Sequence, residues 1–365
     1  MSHLILHIGP PKCGSSSIQN YLKSECSAQY RHVAPSLIDL MNQQPDLMDQ
    51  KVVEFIGEVN RLVKSDKVVI LSHEYFFECH YAIKYICDQV KVDRITIIGY
   101  VRRSSHVLVA AFNQWEFRNP DMSDDIQRIL RTHKIDSNLF LGVEAYLMAI
   151  ILASEKLVLR PYNWSEEYGS LESLLKYDHV EIKVNALPSN VRSYDLIVDF
   201  CDKAGLSKEN YSPDVINPSF SEIVVESFYR TSNEFKNRVG QHGFNHFFRK
   251  LSAEMNDLEL SDTNFFKSLC LYIDGENYSE TLSFSQRYGI PESELLTNHR
   301  IEKDEVLKLI KEENELRKSQ LDVLQNNQKE AAEWAVCSFD DFLTHSKKKS
   351  SRTWILKLIS IFKKK

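Results

Sequence analysis

Four short apolar runs, at residues 4–8, 67–71, 95–101 and 156–159, are rich in β-branched side chains and read as buried strands. Helix-length stretches lie between them, among them 16–24 and 106–117. Strands alternating with helices predict an α/β fold of three layers, a central parallel sheet flanked by helices. Residues 193–204 read as an amphipathic helix closed by Gly205, and from about Ser221 the pattern turns mostly helical. The stretch 302–333 is highly charged, with weak apolar spacing at Val306, Leu309, Ile310, Leu316 and Leu324. It predicts a helical C-terminal extension, read as a solvated helix in preference to a coiled coil because no strict heptad persists. The expected organisation is a main domain over 1–296, a charged helical extension over 297–345 and a basic amphipathic tail over 346–365.

Charge and cysteine usage narrow the classes. A formal net charge of -6 argues against a nucleic-acid binder, so any anionic ligand has to be held by a local cluster of donors. The seven cysteines are scattered and form no CxxC pair, which supports neither a disulfide framework nor a zinc site. The chain opens almost at once on a strand-like run, without the segments of a signal peptide. The apolar run 145–153 is shorter than the roughly 20 residues a membrane span needs. A cytoplasmic protein is expected.

The most informative stretch is Leu6-His7-Ile8-Gly9-Pro10-Pro11-Lys12-Cys13-Gly14-Ser15-Ser16-Ser17-Ile18-Gln19. A strand runs into a glycine-containing turn and then into serines that open a helix. That order gathers N–H groups and hydroxyls at a helix N-terminus, where an anion is favoured. Lys12 adds a positive charge. The lysine precedes the second glycine, so this is not the Walker loop GxxxxGK[ST]. The run 95–101 ends in Arg102-Arg103 instead of a carboxylate, which suits a phosphate contact without metal. The run ending at Leu71 leads through Ser72 to His73 and Glu74, two candidate bases where ligands gather in open parallel sheets.

The order strand–GxPKxGSSS–helix, with a later strand ending in arginine, resembles the PAPS-dependent sulfotransferases (PAPS is 3′-phosphoadenosine 5′-phosphosulfate). The bacterial carbohydrate-type members look most similar. The likeness runs over about 4–296, is sharpest in HIGPPKCGSSSIQ, IIGYVRRSSHVLVAAFNQ and LRPYNWS, and echoes weakly in INPSFS. It implies a P-loop-like fold and transfer of a sulfuryl group from PAPS to a carbohydrate hydroxyl by in-line displacement, with no metal required. On the same likeness Pro11, Lys12, Cys13, Gly14, Ser15, Ser16 and Ser17 hold the 5′-phosphosulfate, Lys12 at the bridging oxygen. Arg102 holds the 3′-phosphate with a serine eight positions on. Here that position is Ala110, a departure for which Arg103, Ser104 or Ser105 are the candidate replacements. Glu74 is the base by the resemblance, with His73 as its rival.

Other implied contacts are weaker. Arg160-Pro161-Tyr162 is an acceptor contact or a strand terminator, and Asn217 and Ser219 lie near the donor. Trp115 and Trp164 are either sugar-stacking or core residues. The tail 347–365, outside the resemblance, brackets Trp354, Ile355, Leu358, Ile359 and Phe362 with lysines. It reads as an interfacial helix on an anionic membrane surface, with docking onto the body as the alternative. A peripheral place on the inner membrane face, with a lipid-linked or surface polysaccharide precursor as acceptor, would fit. Two competing functions remain: a P-loop nucleotide kinase or NTPase, and a silent nucleotide-binding module of the same fold.

Overall fold

Leu4, Ile5 and Leu6 are consecutive and fully buried, as are Val69, Ile70 and Leu71. Neighbours in a strand point to opposite faces, so both faces of the sheet are covered. The computed structural model describes residues 2–24, 28–43, 49–65, 68–153, 161–188, 194–207, 220–242, 245–254, 263–319 and 321–344. The chain divides into two units. One comprises Met1–Val107, Tyr162–Asn217 and Asn277–Asn298, the other Leu108–Pro161, Pro218–Glu276 and His299–Lys365.

The first unit is the α/β one. Its strands are β1 (His3–His7), β2 (Gln29–His32), β3 (Val68–Ser72), β4 (Arg94–Val101) and β5 (Val180–Ala186). All pair in parallel, in the order β2-β3-β1-β4-β5. Three of the four expected runs are β1, β3 and β4; the fourth, 156–159, lies outside the described residues. Neither β2 nor β5 was expected. β2 is a polar edge strand with little burial, and β5 buries alternate residues, Val180, Val184 and Ala186. His7 pairs with Ser72 on one side and Ile98 on the other, so β4 runs three residues farther. That is about 10 Å at the usual strand rise.

The expected helices are present with shifted ends. They are Ser15–Ser24, Ser104–Phe112 and Leu196–Ala204. The last starts where Asp195 accepts from the N–H groups of Ile197 and Val198, and it stops at Gly205, whose φ is 67°.

The second unit is helical. The apolar run 145–153 lies mostly in the helix Gly142–Leu152, buried nearly all round, as a core helix should be. The stretch 302–333 is not a solvated helix. It falls in two helices, Lys303–Lys318 and Leu321–Thr344, and each buries a stripe. Val306, Ile310, Asn314 and Arg317 are covered in the first, and Ala331, Trp334, Ala335 and Phe339 in the second. Charges on the remaining faces conceal that stripe in the sequence. Among the described residues no helix is long and apolar enough to cross a membrane. The tail 346–365 lies outside them.

Candidate functional site

β1 lies between β3 and β4, and the chain order reverses there, so the three carboxyl ends sit side by side at the position where open parallel sheets bind ligands. The phosphate-loop candidates follow β1, His73 and Glu74 follow β3, and Arg102 and Arg103 follow β4.

The loop after β1 is a tight turn. Cys13 N–H donates to Pro10 O at 3.3 Å, and Lys12 has φ 67°. A turn with proline at its second position and positive φ at its third normally carries glycine or asparagine there. Lysine in that conformation is strained by roughly 1–2 kcal/mol. Lys134 shares the conformation at φ 60°, but it ends a helix, where such a residue is common. Lys12 ends none.

Gly14, at φ 86°, cannot be replaced without strain, and a Cβ there would meet Leu196 Cδ2 at 2.3 Å. A Cβ on Gly9 would stand 2.7 Å from Ser15 Oγ and 3.2 Å from His7 Nε2. The first helical donations come from Ser17 and Ile18, both to Gly14 O. The N–H groups of Ser15 and Ser16 therefore have no main-chain acceptor among the described residues. Ser15 is buried with its hydroxyl donating to Gly9 O at 3.2 Å; Ser16 is exposed, and Ser17 and Pro11 are half-buried. The Cys13 side chain is fully buried, and burial pushes its thiol up to about 12, with Arg102 opposing and Glu74 reinforcing the shift. It is a neutral packing group at physiological pH.

His73 and Glu74 sit in different surroundings. His73 caps the short 3-10 turn Glu74–Glu78, its Nδ1 accepting from Tyr75 N–H at 3.0 Å. A neutral ring that accepts at Nδ1 carries its proton on Nε2 and keeps no second lone pair for a reacting hydroxyl. Burial, and then the nearby His32 ring, lower the His73 pKa. Glu74 is half-buried; burial raises its carboxyl, the positive charge of Lys12 opposes, and Glu78 adds a little. A carboxylate raised toward neutrality beside a lysine suits proton abstraction.

Arg102 and Arg103 are not in ion pairs among the described residues. The Nε of each is buried without a hydrogen-bond partner among the described residues. Arg103 donates through Nη2 to the carbonyls of Ser293 and Leu296, so part of its guanidinium secures the short helix Glu292–Leu295. Ala110 is buried in the helix Ser104–Phe112.

Two histidines were not singled out from the sequence. His7 is fully buried, bonded through Nδ1 to Ser72 Oγ at 2.7 Å, and its Nε2 has no hydrogen-bond partner among the described residues. Burial pushes it down to about 3. His106 Nδ1 is likewise buried without a hydrogen-bond partner among the described residues. A polar residue closing an apolar run was the available signal for His7.

Tyr162 stacks on Trp164 at 4.6 Å and stands edge-on to Phe77 at 5.9 Å. Trp164 is buried core, whereas Trp115 in the other unit is 37% exposed. Arg160, Asn217 and Ser219 lie outside the described residues. Among those residues no group of three or more His, Cys, Asp or Glu could hold a metal ion.

No family model and no curated protein match the chain. Among solved structures it is similar to the crystal structure of a sulfotransferase from Alicyclobacillus acidocaldarius, at 11% identity and a TM-score of 0.28, over 59% of this chain and 86% of that one. A likeness of that degree carries no argument about function.

Proposed function

We propose that the protein is a sulfotransferase that moves a sulfuryl group from PAPS to a hydroxyl of a carbohydrate acceptor. The observation that carries the reading is the strained Lys12, in a left-handed turn that glycine would occupy more easily, at the mouth of a helix whose first N–H groups have no main-chain acceptor among the described residues. The donor fits the remaining groups: the loop glycines allow the turn to pack closely against Ser15, His7 and Leu196, and Arg102 Nε is buried without a hydrogen-bond partner among the described residues.

In this reading the acceptor oxygen attacks sulfur as the bond from sulfur to the bridging phosphate oxygen breaks. The electron pair of that bond leaves with the nucleotide as adenosine 3′,5′-bisphosphate. Lys12 and the N–H groups of Ser15 and Ser16 meet the charge growing on the leaving phosphate. Glu74 takes the acceptor proton, and the capping bond at His73 Nδ1 favours Glu74 over His73 for that role. Arg102 holds the 3′-phosphate. The test is transfer of labelled sulfate from PAPS to a panel of saccharide acceptors. Labelled saccharide is expected; a panel left unlabelled, with PAPS not bound, would contradict the proposal.

One observation favours a second reading. Glu74 follows β3, the neighbour of β1, and a carboxylate beside a phosphate loop also serves Mg²⁺ in nucleotide kinases and NTPases. That reading requires ATP binding that is strengthened by Mg²⁺ and lost in EDTA. The sulfotransferase reading requires nucleotide binding indifferent to EDTA. The acceptor class and a membrane role for the tail rest on the sequence resemblance and composition alone.

A further inference from the structure

Three buried side-chain nitrogens after β4 lack a hydrogen-bond partner among the described residues: Arg102 Nε, Arg103 Nε and His106 Nδ1. Buried polar atoms are nearly always satisfied, so three within five residues call for an occupant. Two of the groups carry fixed positive charge, and the third can donate. The occupant is therefore an anion with several acceptor oxygens, such as a phosphate monoester.

The neighbouring groups are committed elsewhere. Arg103 Nη2 secures the carbonyls of Ser293 and Leu296, Ser104 Oγ donates to Tyr162 O at 3.4 Å, and Ser105 is fully buried. Arg102 and His106 are left to meet the anion. Helical spacing makes the choice more specific. His106 and Ala110 lie four residues apart in the helix Ser104–Phe112 and share one face. Ala110 offers no hydrogen bond, and His106 stands one turn nearer the strand end. Burial, with Arg102 and Arg103 adding to it, pushes His106 down to about 4, so the ring is neutral at pH 7.

We infer that His106 donates from Nδ1 to the phosphate held by Arg102, in place of the hydroxyl that Ala110 lacks, and so sets the preference for a nucleotide bearing a 3′-phosphate. The inference rests on the reading of the protein as a PAPS-dependent enzyme. It assigns 3′-phosphate recognition to an arginine–histidine pair on this chain.

Isothermal titration of the full chain with adenosine 3′,5′-bisphosphate and with 5′-AMP tests it. His106→Ala should weaken the bisphosphate by about 10-fold to 100-fold, the range for one hydrogen bond to a charged group, and leave 5′-AMP unchanged. The 5′-AMP arm also reports that the variant is folded. His106→Asn keeps an N–H donor near the Nδ1 position and should retain most of the preference, a rescue that a packing role for the ring would not give. Equal loss for both nucleotides in His106→Ala, or an undiminished preference, overturns the inference while leaving the PAPS reading intact. Equal affinities in the unaltered protein overturn both.

Discussion

In the helical unit Glu144 is fully buried, and its two oxygens accept from Arg317 at 2.6 and 3.0 Å and from Leu141 N–H at 2.9 Å. Arg317 also donates to Glu313 and to Leu139 O. Nearby, Glu226 accepts from Arg230 and from Gly142 N–H, and the buried Lys236 donates to Ser123 Oγ. At the ends of β1 and β4 in the other unit, His7 Nε2, Arg102 Nε and His106 Nδ1 are buried atoms without such partners among the described residues. These closed networks are architecture, because the charges of Glu144, Arg317, Glu226 and Arg230 are compensated inside the protein, although Arg118 Nη1 in the same unit is buried without a hydrogen-bond partner among the described residues. Donors left open in a rigid frame are suited to a ligand that completes them.

The sharpest way to break that contrast is to remove one charge from each side. Arg317→Ala leaves Glu144 buried and unpaired, so urea unfolding should show a loss of about 3–5 kcal/mol. Arg102→Ala should cost less than about 1 kcal/mol, because no partner among the described residues is orphaned, yet should weaken adenosine 3′,5′-bisphosphate. A large loss of stability in Arg102→Ala would assign that arginine to architecture. Next in size is Glu74→Gln, expected to lower transfer by about 10²–10⁴ at unchanged melting temperature.

Much of this frame was legible in the residues. β1, β3 and β4 are continuous apolar runs because both of their faces are covered, and such runs stand out. β2 has no such signature, since an edge strand in contact with water needs none. β5 alternates in the strand period over Val180, Glu181, Ile182, Lys183 and Val184 and could have been found. The candidate phosphate loop stood out because its glycines, lysine and serines are contiguous. The left-handed backbone at Lys12 did not, because lysine does not announce that conformation. His7 and His106 acquire meaning only from what surrounds them, and no spacing rule marks a single histidine.

Two pH effects sharpen the comparison further. If Glu74 is the base, transfer needs its ionised form, so activity should fall as the pH drops through its raised value. The acid limb of kcat/KM should then lie above the ordinary glutamate value of 4.5. A limb at or below that value would remove Glu74 from the role. His7 acts on stability. Its folded-state value of about 3 lies below the ordinary 6.5, so as the pH falls below 6.5 the unfolded chain takes up a proton that the folded one refuses. Stability should decline by up to about 1.4 kcal/mol per pH unit from this group, and His7→Asn should flatten the decline in a melting-temperature series. An unchanged slope would show that His7 is not the group responsible.

The most direct measurement is PAPS turnover by Lys12→Gly with a saccharide acceptor pool, taken together with its unfolding free energy. Glycine relieves the positive φ while removing the charge, so stability should stay within about 1 kcal/mol of the unaltered protein and turnover should fall at least about 10²-fold. A folded Lys12→Gly variant that turns over PAPS at the normal rate would contradict the account.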